Sequence, residues 1–114
     1  RNLRKSKISS LHIAVCLDYI YDHLHTHITA EQLAKLTGLN ISYLSRLFKK
    51  ETGQSFVSYL TDYRMDRAEE MVLNTDEKSY KIAEKVGYQD ANYFSYVFKK
   101  KFGVSPSKYR ASGK

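Results

Sequence analysis

The sequence predicts an all-α protein of about seven helices, in which two helix-turn-helix subdomains are joined by a long linking helix. Residues 42–59 reappear at 92–109 with an offset of 50 and eight identities in 18 positions. Unrelated segments of average composition would share roughly one or two. Between the copies, residues 56–73 carry apolar side chains at helical spacing. Two copies of one unit joined by one long helix are therefore expected.

The composition fits a globular protein of modest core size. The 114 residues are 42% hydrophobic and 27% charged, with neither a run long enough to span a membrane nor a signal peptide pattern. Cys16 is the one cysteine, which excludes an internal disulfide and a cysteine zinc cluster. It lies on an apolar stripe, so we expect it in the core of a protein in the reducing cytoplasm. Because the chain starts at Arg1, we expect a fragment of a longer protein.

The net charge of +7 is concentrated in three segments that contain no acidic residue, 1–17, 41–50 and 92–114. Residues 52–91, in contrast, hold five basic and eight acidic residues, a balance of 5 − 8 = −3. The positive charge thus recurs on the equivalent part of both repeats. That coincidence favours a polyanionic partner over a merely solvent-exposed charged surface.

The first subdomain is expected at 8–54, after a basic arm or linker remnant at 1–7. Ser9 or Ser10 can cap a first helix, and His23, His25 and His27 follow it. A metal site on these histidines is conceivable but disfavoured. The first helix has an apolar stripe formed by Ile13, Cys16, Leu17, Ile20, Tyr21 and Leu24.

Two shorter helices complete this subdomain. Thr29 and Gln32 form a capping box before a helix that ends at Gly38. The next helix, 41–52, turns its apolar residues inward and exposes a polar-basic face. Two short helices with a tight turn and a basic second helix are typical of a helix-turn-helix.

The linking helix is expected at 55–74, the second subdomain at 75–110 and a tail at 111–114. Ser55 should cap the linking helix, whose expected stripe is Phe56, Leu60, Tyr63, Met71 and Val72. Ser79 should cap the first helix of the second subdomain, and Ser105-Pro106 should begin a final helical turn that ends near Arg110. Arg64 and Arg67 are expected to form ion pairs within the linking helix.

The second copy carries motifs that resemble the signature of the AraC/XylS-type transcription regulators. They are residues 82–88 (IAEKVGY), 93–95 (YFS), 98–103 (FKKKFG) and 105–110 (SPSKYR). The resemblance covers about residues 8–110. It implies a DNA-binding domain in which the second helix of each subdomain enters the major groove, within a protein that carries a further effector, receiver or dimerisation domain. The sequence departs from the family at Tyr96, where a basic residue is frequent.

The chemistry of the outward-facing side chains suggests a role for each. We expect base reading by Ser42, Ser45, Arg46, Asn92, Ser95 and Tyr96, and phosphate contacts by Lys49, Lys50, Lys99 and Lys100. Arg46 can pair with guanine and Asn92 with adenine, while Tyr96 offers a ring to a thymine methyl group. Lys101 and Lys108 have a weaker case and are expected to be solvated. The repeated tyrosines at 43, 93, 59 and 109 are expected in the core.

The leading hypothesis is therefore sequence-specific binding of duplex DNA by two recognition helices. A linking helix of about 18 residues is roughly 27 Å long, which suits major-groove segments about 34 Å apart. The alternative is a helical protein-interaction module that recruits RNA polymerase or another partner, and the two can hold together. An enzyme is the weakest option, since the sequence has no nucleophile-base pair, phosphate loop or metal cluster. No cofactor and no membrane association are expected.

Overall fold

The structure, a computed structural model, describes residues 10–113, which form seven α-helices and no strand. In chain order these are α1 (Leu11–Asp22), α2 (Ala30–Thr37), α3 (Ile41–Thr52), α4 (Phe56–Asn74), α5 (Ser79–Lys85), α6 (Ala91–Phe102) and α7 (Pro106–Ser112). The prediction of an all-α fold is confirmed. The predicted basic arm at 1–7, Ser9 and Lys114 lie outside the described residues.

The described residues divide into two compact units, each of which contains one helix-turn-helix. The first unit comprises residues 10–23 and 27–61, and the second comprises 24–26 and 62–113. The boundary falls inside the linking helix α4, between Thr61 and Asp62. Each unit therefore takes one part of α4 into its own packing.

The first unit is built on the apolar face of α1, as the sequence predicts. Five of the six predicted stripe residues lie on α1 and are buried, Cys16 completely. The sixth, Leu24, is also buried, but it follows the end of α1 and belongs to the second unit. Leu33 of α2, with Leu44 and Phe48 of α3, adds to the buried set. The ring of Phe48 packs edge-on against Tyr59 of α4, with ring centroids 5.5 Å apart. The predicted core of this unit is confirmed.

The second unit has one apolar core to which α4, α5 and α6 contribute. Its buried members are Met65, Ala68, Val72, Ile82, Ala83, Val86, Phe94 and Phe98. Phe98 packs edge-on against Tyr109 of α7 at 5.5 Å, as Phe48 packs against Tyr59 one repeat earlier. Arg110 of α7 donates through Nε to the carbonyl of Val72 at 2.7 Å. Equivalent residues of the two sequence copies therefore pack in the same way.

Equivalent side chains also start the second helix of each helix-turn-helix. Asn40 Oδ1 accepts hydrogen bonds from the backbone N–H groups of the second and third residues of α3, at 2.9 and 3.2 Å. Asp90 Oδ1 does the same for α6, at the same two distances. The capping box at Thr29 and Gln32 is present as predicted. Side-chain caps therefore fix where α2, α3 and α6 begin.

Several details of the linking helix and the second unit differ from the predictions. The predicted Val72 is fully buried in the second unit, but so are Met65 and Ala68, which the predicted stripe omits, whereas Tyr63 is only partly buried. Ser79 does not cap α5: the cap position is Lys78, without a side-chain hydrogen bond. The last helix continues to Ser112 instead of ending near Arg110. The stripe was mispredicted because α4 serves two units and its buried face changes along its length.

The two arginines of α4 have different roles. Arg67 pairs with Glu70 at 2.9 Å, as predicted. The prediction of an ion pair within the helix was wrong for Arg64, whose Nη2 donates to the carbonyl of Thr26 at 2.8 Å and to that of Leu24 at 3.4 Å. Burial lowers the pKa of Arg64. Arg64 is thus a structural residue that holds the segment after α1.

Two features are absent from residues 10–113. None of the helices is long and apolar enough to cross a membrane. No group of three or more His, Cys, Asp or Glu side chains is placed to hold a metal ion.

Candidate nucleic-acid interface

The outward face of α3 brings together the predicted residues of the first unit. Ser42, Ser45, Arg46, Lys49 and Lys50 are all exposed, while Leu44 and Phe48 on the opposite face are buried. Three cations and two hydroxyls therefore share one accessible helix surface. The last turn of α3 holds both lysines, where the helix dipole favours positive charge.

A groove of about 540 Å³ lies beside the second half of this face. Its walls are formed by Ala30, Ser45, Arg46, Lys49, Lys50, Ser55, Phe56 and Val57. Val57 at its edge is 69% exposed. The floor is largely apolar, and Arg46, Lys49 and Lys50 make the rim cationic.

The outward face of α6 is the equivalent surface of the second unit. Asn92, Tyr96, Lys99 and Lys100 are exposed, and Ser95 is partly covered. Asn92 lies in the first turn, which in helix-turn-helix proteins is the part of the recognition helix that contacts base edges. All the predicted residues of this helix therefore share one face, with Ser95 the least accessible.

The four repeated tyrosines fall into two classes. Tyr59 is buried, and Tyr109 packs against the core of the second unit while its hydroxyl donates to Glu69 at 2.5 Å. That hydrogen bond is the main cause that raises the pKa of Tyr109. For these two, the predicted core packing is confirmed.

The prediction of core packing was wrong for Tyr43 and Tyr93, which are 47% and 58% exposed. Repetition alone suggested a structural role, but helical spacing contradicts it. Tyr93, Tyr96 and Lys100 are spaced i, i+3 and i+7, so they lie on one face. This spacing was the signal in the sequence that could have added Tyr43 and Tyr93 to the candidate interface.

Lys101 differs from the two lysines before it. Its Nζ lies 3.1 Å from Asp66 Oδ1 and 3.5 Å from Asp62 Oδ1, both on α4. The expectation that Lys101 is simply solvated was wrong, because the turn of the helix directs it toward these carboxylates. Lys99 and Lys100 therefore carry the positive charge of the outward face, and Lys101 neutralises acids of its own unit.

Comparisons with known proteins agree on one family. A family model described as a helix-turn-helix domain matches residues 33–112. The chain is 33% identical over 106 residues to an uncharacterised HTH-type transcriptional regulator of Bacillus subtilis, YobQ, which covers 93% of the chain and 44% of that protein. It is 39% identical over 94 residues to the lactose operon transcription activator of Staphylococcus xylosus, covering 82% of the chain and 34% of the relative. The chain thus spans less than half the length of these relatives.

A solved structure extends the likeness to three dimensions. The C-terminal domain of AraT, a response regulator from Geobacillus stearothermophilus, superposes with a TM-score of 0.86 and is 40% identical to the chain. The match covers 90% of this chain and 86% of that one.

Proposed function

This chain is a DNA-binding domain of the AraC/XylS-type family of helix-turn-helix transcription regulators, and we propose that α3 and α6 each read the major groove of one duplex. One observation carries the proposal. The equivalent helix of each unit exposes a face with at least two cations and no acidic residue. A duplex with phosphates on both sides of its major groove is the polyanion that such a pair of helices fits.

The two helices are proposed to enter successive major-groove segments on one side of the duplex. The linking helix α4 has 19 residues, which corresponds to a length of about 28 Å. Successive major-groove segments are separated by one helical turn, about 34 Å. A linking helix of this length supports a site made of two half-sites, one for each unit.

We assign base reading to the first halves of the exposed faces. Arg46 has a forked guanidinium that can donate to guanine O6 and N7, and Asn92 can pair with adenine N6 and N7. The hydroxyls of Ser42, Ser45 and Ser95 make short contacts of low selectivity. The first half-site should therefore contain guanine, whereas the second should be rich in A·T pairs.

The lysines that follow are assigned to phosphates. Lys49 and Lys50 in α3, and Lys99 and Lys100 in α6, lie in the last turns of their helices. Phosphate contacts orient a protein on the duplex without encoding sequence. Lys108 is exposed, and nothing in its surroundings assigns it to the interface.

The experiment is a binding titration at several salt concentrations. A fluorescent duplex selected by this chain from a random pool is compared with a scrambled duplex of the same composition. If four lysines each neutralise one phosphate, the logarithm of the association constant should fall against the logarithm of salt with a slope of about −3.6. Absence of salt-dependent binding to either duplex would contradict the proposal and favour a protein-interaction module.

Three further expectations remain predictions. Recruitment of RNA polymerase and an effector, receiver or dimerisation domain elsewhere in the full protein are what the resemblance implies, and the cytoplasmic location rests on the presence of one cysteine only. The absence of catalytic activity is also a prediction, because the family consists of DNA-binding regulators.

A further inference from the structure

A ladder of three tyrosines runs along α6 and the turn before it. The rings of Tyr93 and Tyr96 stack with centroids 6.3 Å apart and an angle of 25° between their planes. Tyr88 meets Tyr93 edge-on at 6.0 Å, and Lys100 Nζ lies 5.7 Å from the centroid of Tyr96. We call Tyr88, Tyr93 and Tyr96 the tyrosine ladder.

The inner end of the ladder is held by the core of the unit. Tyr88 packs against buried Phe94 with ring centroids 5.6 Å apart, and the guanidinium of Arg64 lies 5.5 Å from the centre of the Tyr88 ring. Burial raises the pKa of the Tyr88 phenol. The ladder therefore begins on fixed side chains and ends in solvent.

The outer end of the ladder is a largely exposed aromatic surface. Tyr93 and Tyr96 are 58% and 59% exposed. Burying such large aromatic rings away from water would be favourable, so a ligand that covers them would gain binding energy. Because the two rings already restrict each other, less side-chain freedom is lost when a ligand covers them. Such a preorganised apolar surface on a proposed recognition helix indicates contact with an apolar group of the DNA.

The neighbours of Tyr96 decide which group this is. Residues three before and four after a helical position flank it on opposite sides along the helix. Tyr93 stacks on the Tyr96 ring and Lys100 Nζ lies over it, so part of the ring face is engaged within the helix while Tyr96 remains 59% exposed. Stacking on a base requires a free face and an unstacked base, whereas a ring edge can contact a methyl group in an intact major groove.

We propose that Tyr96, held in position by Tyr93 and Lys100, reads the second half-site through the C5-methyl groups of thymine. This inference rests on the proposed function of α6. The thymine methyl is the one apolar group that the major groove displays. Tyr93 acts as a positioning residue, since its ring fixes that of Tyr96.

The first unit offers an internal control. Tyr43 is exposed there as well, but the position equivalent to Tyr96 is Arg46. A guanidinium donates hydrogen bonds to guanine and gains little from a methyl group. Sensitivity to thymine methyl groups should therefore be confined to the second half-site.

The test replaces thymine by uracil, which lacks only the C5-methyl group. The probe is the duplex selected by this chain from a random pool, synthesised with deoxyuridine at the thymines of one half-site at a time. Uracil in the second half-site should weaken binding about threefold to tenfold for each contacted methyl, from the value of burying one such group. Uracil in the first half-site should leave affinity unchanged.

Variants separate reading from positioning. Tyr96→Ala should bind the thymine and uracil duplexes equally, while Tyr96→Phe should keep the discrimination, because the ring and not the hydroxyl contacts the methyl. Tyr93→Ala should reduce the discrimination, and Tyr93→Phe should restore it. Since both residues are exposed, circular dichroism should report an unchanged fold for all four variants.

Four results would overturn the inference. These are equal affinity of the original chain for thymine and uracil in the second half-site, a second half-site without thymine, discrimination that survives Tyr96→Ala, and discrimination unaffected by Tyr93→Ala. If the random pool yields no preferred duplex, the proposed function fails as well. If a duplex is selected and only the uracil comparison fails, α6 reads DNA by another contact.

Discussion

Arg46 and Tyr96 occupy the same position of the 50-residue repeat, and we expect the difference between them to set the specificity of the two units. Arg46 is exposed on α3 and carries the one forked donor of that face. We expect Arg46→Ala to weaken binding to the selected duplex by about 1–3 kcal/mol and to leave binding to random duplex nearly unchanged. Dissociation constants for the two duplexes measure this difference.

Lys49→Ala is the matched control for Arg46→Ala, because Lys49 lies on the same face one turn later. As a phosphate contact it should weaken both duplexes alike. Equal losses for Arg46→Ala on specific and random duplexes would place Arg46 among the phosphate contacts instead.

Two nearby lysines of α6 provide a second comparison. Lys99 is exposed, whereas Lys101 lies 3.1 Å from a carboxylate oxygen of Asp66. Lys99→Ala should reduce the salt dependence of binding by about 0.9 in slope, the value for one phosphate contact. Lys101→Ala should change the slope by less than half of that, because its charge already faces carboxylates. Equal changes for both variants would mean that general charge, not position, determines the effect.

Cys16 gives the first unit a titratable group in its core. Burial raises the pKa of this thiol from 9.0 to about 11. The unfolded chain therefore loses its proton first, and the stability that this group contributes falls as pH rises from about 9 to about 11. The loss should reach about 2 kcal/mol, since one pKa unit corresponds to 1.36 kcal/mol.

The measurement for Cys16 is the free energy of unfolding in urea across this pH range. Subtracting the unfolding free energy of Cys16→Ala from that of the original chain cancels the contribution of tyrosines, whose ordinary pKa lies in the same pH range. The difference should be constant below pH 9 and should shrink above it. A difference independent of pH would show that the folded thiol titrates normally.

At the scale of elements, two glycines that follow helices of the second unit make a matched pair. Gly87 and Gly103 both have positive φ, at 99° and 89°. A methyl group on Gly103 would meet no described heavy atom within 4 Å, but on Gly87 it would collide with the carbonyl of Leu24 and lie 2.8 Å from the guanidinium of Arg64. The turn after α5 thus requires glycine at position 87 for two reasons: the backbone is left-handed there, and other atoms lie too close for a Cβ.

Substituting each glycine by alanine separates the two requirements. Gly103→Ala should cost about 1–2 kcal/mol of folding stability from backbone conformation alone. Gly87→Ala should cost at least about 2 kcal/mol more, because the Arg64 contact must also rearrange. Urea denaturation measures both, and equal losses would contradict the described packing around Gly87.

Most helices could be predicted from the sequence because their ends carry strong local signals. Thr29 with Gln32 and Ser105 with Pro106 predict starts through hydrogen bonds and ring geometry that involve only neighbouring residues. The start of α5 was mispredicted at Ser79, where no comparable side-chain bond exists. The start of a helix can therefore be predicted from the sequence when neighbouring residues alone determine it.

Features set by distant residues could not be predicted. Arg64 has acidic neighbours on its own helix, yet it donates to carbonyls about 40 residues away in the chain. Met65 and Ala68 escape a single-stripe description because α4 packs into two units in turn. In the candidate site, the faces of α3 and α6 followed from helical periodicity, whereas the stacking of Tyr93 on Tyr96 depends on rotamers.

For the whole molecule, the distribution of charge matters more than its total. The net charge of +7 combines basic segments around α3 and after Asp90 with an acidic balance over 52–91. Opposite charge on separate parts of a surface orients a protein as it approaches a polyanion and opposes binding through the wrong face. We therefore expect the acids of α4 and the lysines of α3 and α6 to have complementary effects on DNA approach.

The central claim is that one chain reads two half-sites, and a hydroxyl-radical footprint on the selected duplex tests it most directly. The cleavage pattern reports the protected sugars at single-nucleotide resolution. We predict two protected groups on one side of the duplex, with centres about 10–10.5 base pairs apart, one for α3 and one for α6. A single protected segment confined to one groove would contradict the account.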